Sequence, residues 1–187
     1  MQTDFSKLPE GLEAPYDDGA AHHLFGMRLP AVLLPSTGGR PVDLAHVPGL
    51  AVLYAYPMTG RPGHALPGGW NEIPGARGCT PQACGFRDHF AELTALGVVH
   101  VFGISTQTTA YQREAAERLH LPFPLLSDAA GELTEMLDLP TFEAEGETLL
   151  KRLTLVARDG LVEKVFYPVF PPDRNAIDVV DYLTKWA

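Results

Sequence analysis

Two short apolar runs set the frame of this chain. Ala51-Val52-Leu53-Tyr54-Ala55-Tyr56 and the stretch from Val98 to Ile104 carry almost no polar alternation. Runs of this length, rich in β-branched and aromatic residues, read as strands buried on both faces. The first stops at Pro57, which has no N–H for a ladder. Between them, from Pro81 onward, apolar residues fall at Ala83, Phe86, Phe90, Leu93 and Leu96. Those steps of three and four predict one helix from Pro81 to Leu96, with Thr80 as N-cap, Pro81 as first helical residue and Gly97 as the stop. Strand, helix, strand is the start of an α/β domain.

The remaining segments extend that pattern. Ala31 to Leu34 and Pro41 to Leu44 read as a hairpin around Gly38-Gly39. Thr109-Ala110-Tyr111-Gln112 resembles a capping box that opens a helix to about His120, and a short helix is expected from Gly131 to Leu137. Arg152 to Ala157 and Leu161 to Tyr167 form a second hairpin across Arg158-Asp159-Gly160. A last amphipathic helix starts near Asn175 with Ile177, Val180 and Leu183 inward. The expectation is an α/β fold with a mixed central sheet flanked by helices, in one domain over residues 1–187, with an irregular lead-in over 1–25. Reactive groups in such sheets sit just past the C-terminal end of a central strand.

Charge and cysteine usage narrow the function classes. A net charge of −9 disfavours nucleic acid or an anionic membrane as partner, and no apolar run is long enough to span a bilayer. Met1 to Lys7 lacks the pattern of a signal peptide, so a cytoplasmic protein is expected. In that reducing compartment two cysteines are more often catalytic than structural. The seven histidines show no metal-binding spacing, and no metal site is expected.

The only cysteines are Cys79 and Cys84, in Gly78-Cys79-Thr80-Pro81-Gln82-Ala83-Cys84-Gly85-Phe86-Arg87-Asp88. Cys79 falls at the N-terminal edge of the predicted helix, where the backbone N–H groups and the helix dipole favour a thiolate. Cys84 lies within the helix. Ideal helical positions five apart have Cα atoms ~8.6 Å apart, whereas a disulfide needs roughly 4.4–6.8 Å. A Cys79–Cys84 bond therefore requires the helix start to unwind. The bland reading is a pair of unrelated small hydrophobes.

Residues 58–78 contain nine Gly or Pro, which excludes a helix or strand through them. A stretch this long without secondary structure is either a surface decoration or a lid over the thiol, with Trp70 as its packing anchor.

Taken together, Tyr56-Pro57, Gly78-Cys79-Thr80 through Cys84-Gly85-Phe86-Arg87-Asp88, Gly103-Ile104-Ser105, Leu121-Pro122-Phe123-Pro124-Leu125-Leu126-Ser127-Asp128, Arg152-Leu153-Thr154-Leu155 and, upstream, Gly39 to Leu44 resemble the peroxiredoxins. The branch they resemble is that of bacterioferritin comigratory protein, or peroxiredoxin Q, and the likeness runs in order over roughly residues 28–186. The resemblance implies a thioredoxin-like fold with an N-terminal hairpin extension. It implies a peroxidase that reduces hydrogen peroxide and organic hydroperoxides with a thioredoxin-like dithiol as reductant, working without a cofactor as a monomer or weak dimer. By position, Cys79 resembles the peroxidatic cysteine, Cys84 the resolving cysteine, Arg152 the active-site arginine, and Pro57 the proline that shields the pocket.

The chain departs from the family pattern at Ala76, three residues before Cys79, where a Thr or Ser hydroxyl is expected. Thr59, close after Pro57, is the substitute if residues 58–78 fold back over the site. Two other readings compete. A protein thiol–disulfide oxidoreductase would carry Cys-x-x-Cys, which is absent. A redox-sensing module without catalysis would use residues 58–78 as its interaction surface.

Overall fold

The computed structural model describes Phe5 and residues 7–186, so part of the predicted lead-in, Met1–Asp4 and Ser6, lies outside the described residues. A small hairpin, β1 (Leu33–Leu34) with β2 (Val42–Asp43), precedes the central strand β3 (Leu50–Ala55). Then come α1 (Cys79–Asp88), α2 (Phe90–Ala95), β4 (Val98–Ser105), α3 (Thr109–Arg118), β5 (Leu125–Ser127) and α4 (Glu132–Leu137). The hairpins β6 (Thr141–Ala144)/β7 (Glu147–Leu150) and β8 (Leu153–Arg158)/β9 (Leu161–Phe166) follow, and α5 (Asn175–Trp186) closes the chain.

The main sheet has the order β5-β4-β3-β8-β9. β3 runs parallel to β4 and β4 to β5, while β8 is antiparallel to both β3 and β9. All six residues of β3 are buried, as an unalternated apolar run requires at the centre of a sheet covered on both faces. Its side chains still divide with period two. Leu53 and Ala55 join Leu34, Leu44, Leu133 and Leu137 in one core, and Val52, Tyr54 and Tyr56 join Phe86, Val179 and Leu183 in the other. The Tyr54 ring stacks on Phe86 of α1 at 4.5 Å, which ties the helix that begins with Cys79 to the central strand.

Gly103 on β4 shows how tight this second core is. A Cβ there would stand 2.5 Å from Leu125 Cδ2 and 2.6 Å from the Tyr54 ring. Gly103→Ala is expected to lower unfolding free energy by about 1–3 kcal/mol through overpacking, measured by urea denaturation.

Several boundaries differ from the sequence reading. The predicted Pro81–Leu96 helix is two helices, broken at His89 (φ −97°, ψ 9°). The apolar period continues across the break because Phe86, Phe90 and Leu93 still face one core. The helix also starts at Cys79, with Gly78 and not Thr80 as N-cap. Thr108 caps α3, its hydroxyl accepting from the Tyr111 N–H, and Gln112 turns inward to donate to Ser105 Oγ and the Leu126 carbonyl. On α5, Ile177 is exposed, and Ala176, Val179, Val180 and Leu183 face the core.

The β6/β7 hairpin had no clear sequence signal. Its turn residues Glu145 (φ 50°) and Gly146 (φ 83°) both adopt left-handed geometry, but the run Glu143 to Glu147 is too polar to stand out. This hairpin is what residues 58–78 pack on. Trp70, 3% exposed, sits with Ala76, Ala144, Leu149 and Phe142, and the Gly68 N–H donates to Glu145 Oε1 at 2.8 Å. The predicted anchoring role of Trp70 is thus observed.

Candidate active site around Cys79

Cys79 is the first residue of α1 and only 3% exposed. Gly78 makes this entry possible. Its φ of 100° is left-handed, and a Cβ at that position would meet the Pro172 ring and, at 2.7 Å, Leu8 Cδ2. Pro81, third in the helix, lacks an N–H that has no intrahelical partner in the first turn. Cys79 to Ala83 are all buried, so the helix start is sealed into the protein.

Arg152, between β7 and β8 and 3% exposed, reaches this helix start. Its Nη2 lies 3.2 Å from Cys79 Sγ and donates also to the carbonyls of Gly75, Ala76 and Arg77 at 3.3, 3.4 and 3.1 Å. Its Nη1 donates to Gln82 Oε1. Gln82 in turn donates to Asn175 Oδ1 at 2.9 Å, an oxygen that also accepts from Thr154 Oγ1 at 2.7 Å. The guanidinium is therefore fixed by α1, α5, β8 and the end of the insertion together. A permanent positive charge and an N–H donor are thus held against the sulfur at the first residue of the helix.

Nothing in the residue order marks Gln82 and Asn175 as site residues. The available signal was position: Gln82 stands three residues after Cys79, one turn along and so on the same face, whereas Asn175 is nearly a hundred residues away and only the fold brings it in. Ala76 contributes its carbonyl, which faces both Arg152 Nη2 and Cys79 Sγ, the latter at 3.7 Å. Its methyl is buried beneath Trp70.

Pro57 is buried at the end of β3. Thr59, 1% exposed, engages Gln107: its N–H donates to Gln107 Oε1 at 3.1 Å and its hydroxyl faces the same oxygen at 3.5 Å. Met58 and Gly60 on either side of it line the thiol chamber, together with Phe5, Lys7, Leu66, Trp70, Arg77 and Thr80. That chamber holds only about 10 Å³ of free space, room for roughly one water. Phe5 narrows it: its ring lies on Gly60 so closely that a Cβ there would overlap it, and the Arg77 guanidinium sits 5.9 Å from the ring centre. Residues 58–78 thus form one wall of a narrow site.

Cys84 is half-buried on α1, and both cysteines are free thiols. Burial pushes the Cys84 thiol up, while the positive charges of Arg87 and Arg118 act against that. Among the described residues, no group of three or more His, Cys, Asp or Glu side chains is placed to hold a metal ion, and no helix is long and apolar enough to cross a membrane.

On the other side of Arg152 lies a second cavity of about 290 Å³, lined by Pro15, Tyr16, Ile73, Phe142 and Pro168 among others. The segment before residue 25 is clamped across it by Asp18, which accepts from Lys151 Nζ at 2.6 Å and from the Tyr167 hydroxyl at 2.7 Å. The Lys151 ammonium, then the Tyr167 hydroxyl and the Ala20 N–H, hold the Asp18 carboxyl well below the usual carboxylate range. A depressed carboxyl contributes its stability above the unfolded value of about 4 and loses it as pH falls toward the folded value. Wild type and Asp18→Asn should therefore differ in melting temperature at neutral pH, with the wild type higher, and the gap should narrow steadily as pH falls below about 4.

The comparisons with known proteins agree with this geometry. The family model described as Redoxin matches residues 25–183. A peroxiredoxin bcp of Coxiella burnetii is 30% identical over 163 residues, covering 84% of this chain and 97% of its own. The chloroplastic peroxiredoxin Q of Sedum lineare is 28% identical over 159 residues, covering 84% of this chain and 76% of its own. Among solved structures, peroxidoxin BcpB of Mycobacterium tuberculosis superposes with a TM-score of 0.68 at 29% identity, over 87% of this chain and 97% of its own. The thioredoxin-like sheet expected from the sequence is therefore present, and the chain belongs to the Redoxin family, among the peroxiredoxins of the bcp and Q type.

Proposed function

We propose that the protein is a thiol-dependent peroxidase in which Cys79 is the peroxidatic residue. The observation that carries this reading is the Arg152 Nη2 placed 3.2 Å from the sulfur of a thiol at the first residue of a helix. In the reaction the Cys79 thiolate attacks one peroxide oxygen. An S–O bond forms, the O–O bond breaks, and the other oxygen leaves as an alkoxide or hydroxide that takes a proton from solvent. Sulfur gives up two electrons and becomes a sulfenic acid. Arg152 stabilises first the thiolate and then the negative charge on the leaving oxygen. Cys84 displaces the hydroxyl of the sulfenic acid as water, giving a Cys79–Cys84 disulfide. A thioredoxin-like dithiol of the cytoplasm reduces that bond by exchange. Pro57 shields the pocket from solvent. The burial of Cys79 and the narrowness of its chamber speak against a protein disulfide as the substrate attacked by this thiol.

Intact-mass analysis after one equivalent of hydrogen peroxide tests the reading. The wild type should lose two hydrogens and give a Cys79–Cys84 cross-linked peptide. Cys84→Ser should instead accumulate sulfenic or sulfinic acid on Cys79. An unmodified Cys79 in both proteins would end the peroxidase reading.

A further inference from the structure

Where the family pattern expects a hydroxyl, Ala76 has only a methyl buried beneath Trp70. Yet one threonine lines the chamber. Thr80 is 4% exposed, adjoins Cys79 in the first turn of α1, and lines the same chamber as the thiol. Its Oγ1 is fully buried and has no hydrogen-bond partner among the described residues. A buried hydroxyl left unpaired destabilises a fold, and native proteins rarely keep one without a use for it. Tyr54 and Tyr56 also carry buried hydroxyls without a close partner, but neither lines the chamber. Thr59 is spoken for differently, since its hydroxyl, N–H and carbonyl all engage Gln107 or Tyr111.

We infer that Thr80 is a catalytic residue of this site, its hydroxyl donating to a peroxide oxygen in the place of the one missing at position 76. The inference rests on the peroxidase reading and names a part of that site. As Cys79 sulfur bonds to one oxygen and the O–O bond breaks, negative charge grows on the leaving oxygen. The Thr80 O–H and the Arg152 Nη2 then act on the peroxide as two donors. A donor already oriented and shielded from water meets that charge without reorganisation. In the resting chamber the same hydroxyl waits unpaired, so the peroxide supplies its partner on entry.

The experiment compares the second-order rate constant for oxidation of Cys79 by hydrogen peroxide in wild type, Thr80→Val, Thr80→Ser and Thr59→Val. Thr80→Val keeps the shape and loses the donor; it should react at least about tenfold more slowly. Thr80→Ser should return most of the rate, and Thr59→Val should match the wild type. Two readouts separate this from a structural role. Labelling of Cys79 by iodoacetamide, which needs a thiolate but no peroxide hydrogen bond, should be unchanged in Thr80→Val. That variant should also melt no lower than the wild type, because an unpaired polar group has been removed. Oxidation of Thr80→Val at the wild-type rate would overturn the inference, as would a Thr80→Ser as slow as Thr80→Val. A slow Thr59→Val beside a normal Thr80→Val would move the role to the insertion. A wild type whose Cys79 does not react with peroxide would instead bring down the peroxidase reading itself.

Discussion

Arg152→Met is expected to lower the rate constant for peroxide reduction by about 10²–10³, the loss seen when one preorganised donor to a developing oxyanion is removed. Methionine keeps much of the volume but brings neither charge nor donor. Arg152 Nη2 faces Cys79 Sγ and three carbonyls, and Nη1 binds Gln82, so the substitution removes the cation and also leaves Gly75, Ala76 and Arg77 carbonyls short of a partner. A stability loss of about 2–4 kcal/mol should accompany the activity loss. Arg152→Lys is expected to recover little, because an ammonium cannot span five acceptors that a planar fork satisfies at once. Stopped-flow oxidation of Cys79 reads the first effect and urea denaturation the second. A normal oxidation rate in Arg152→Met would show that the helix terminus alone activates the thiol.

The second large effect concerns shape. Cys79 and Cys84 both lie within α1, at positions whose ideal Cα separation of ~8.6 Å exceeds the span of a disulfide. Forming the bond must therefore dismantle the start of α1. Cys79 to Ala83 leave their buried positions, and Gln82 lets go of both Arg152 and Asn175. The break at His89 confines the event: α2 begins after it and need not unwind. Hydrogen exchange of the α1 amides should speed up by about two orders of magnitude or more in the oxidised protein, while the central strand β3 stays protected. Reduction should restore the pattern. Cys84→Ser treated with the same peroxide should keep α1 protected, since it has no partner thiol. An oxidised wild type with unchanged exchange in α1 would rule out an intramolecular bond made by unwinding.

Much of this could be read from residues in a row. The buried runs at β3 and β4 declare themselves by hydrophobicity, and the helical period after Pro81 places the two thiols at a helix start, because both signals depend only on near neighbours. The order of motifs from Gly39 to Arg152 was enough to suggest the family and both cysteine roles. What failed locally failed for a physical reason. Residue type makes Thr80 the expected cap, because caps are usually Ser, Thr, Asp or Asn, but Gly78 in left-handed geometry starts the helix two residues earlier. That shift leaves the Thr80 hydroxyl, expected from its residue type to cap the backbone, buried and unpaired in a residue that lines the same chamber as Cys79.

The sequence by itself determined the strand–helix–strand frame, the pair of thiols at one helix and the absent hydroxyl at Ala76. Only the tertiary structure decided what surrounds them. The contact of Arg152 with Cys79 joins residues 73 positions apart, and the bond of Gln82 to Asn175 joins residues 93 apart. The Phe5 ring lines the chamber from the far end of the chain by lying on Gly60. Local propensity carries no information on such pairs. They exist because folding a sheet between two helical layers brings distant segments to one edge of one strand, and burial there leaves each polar group only the partners the packing supplies.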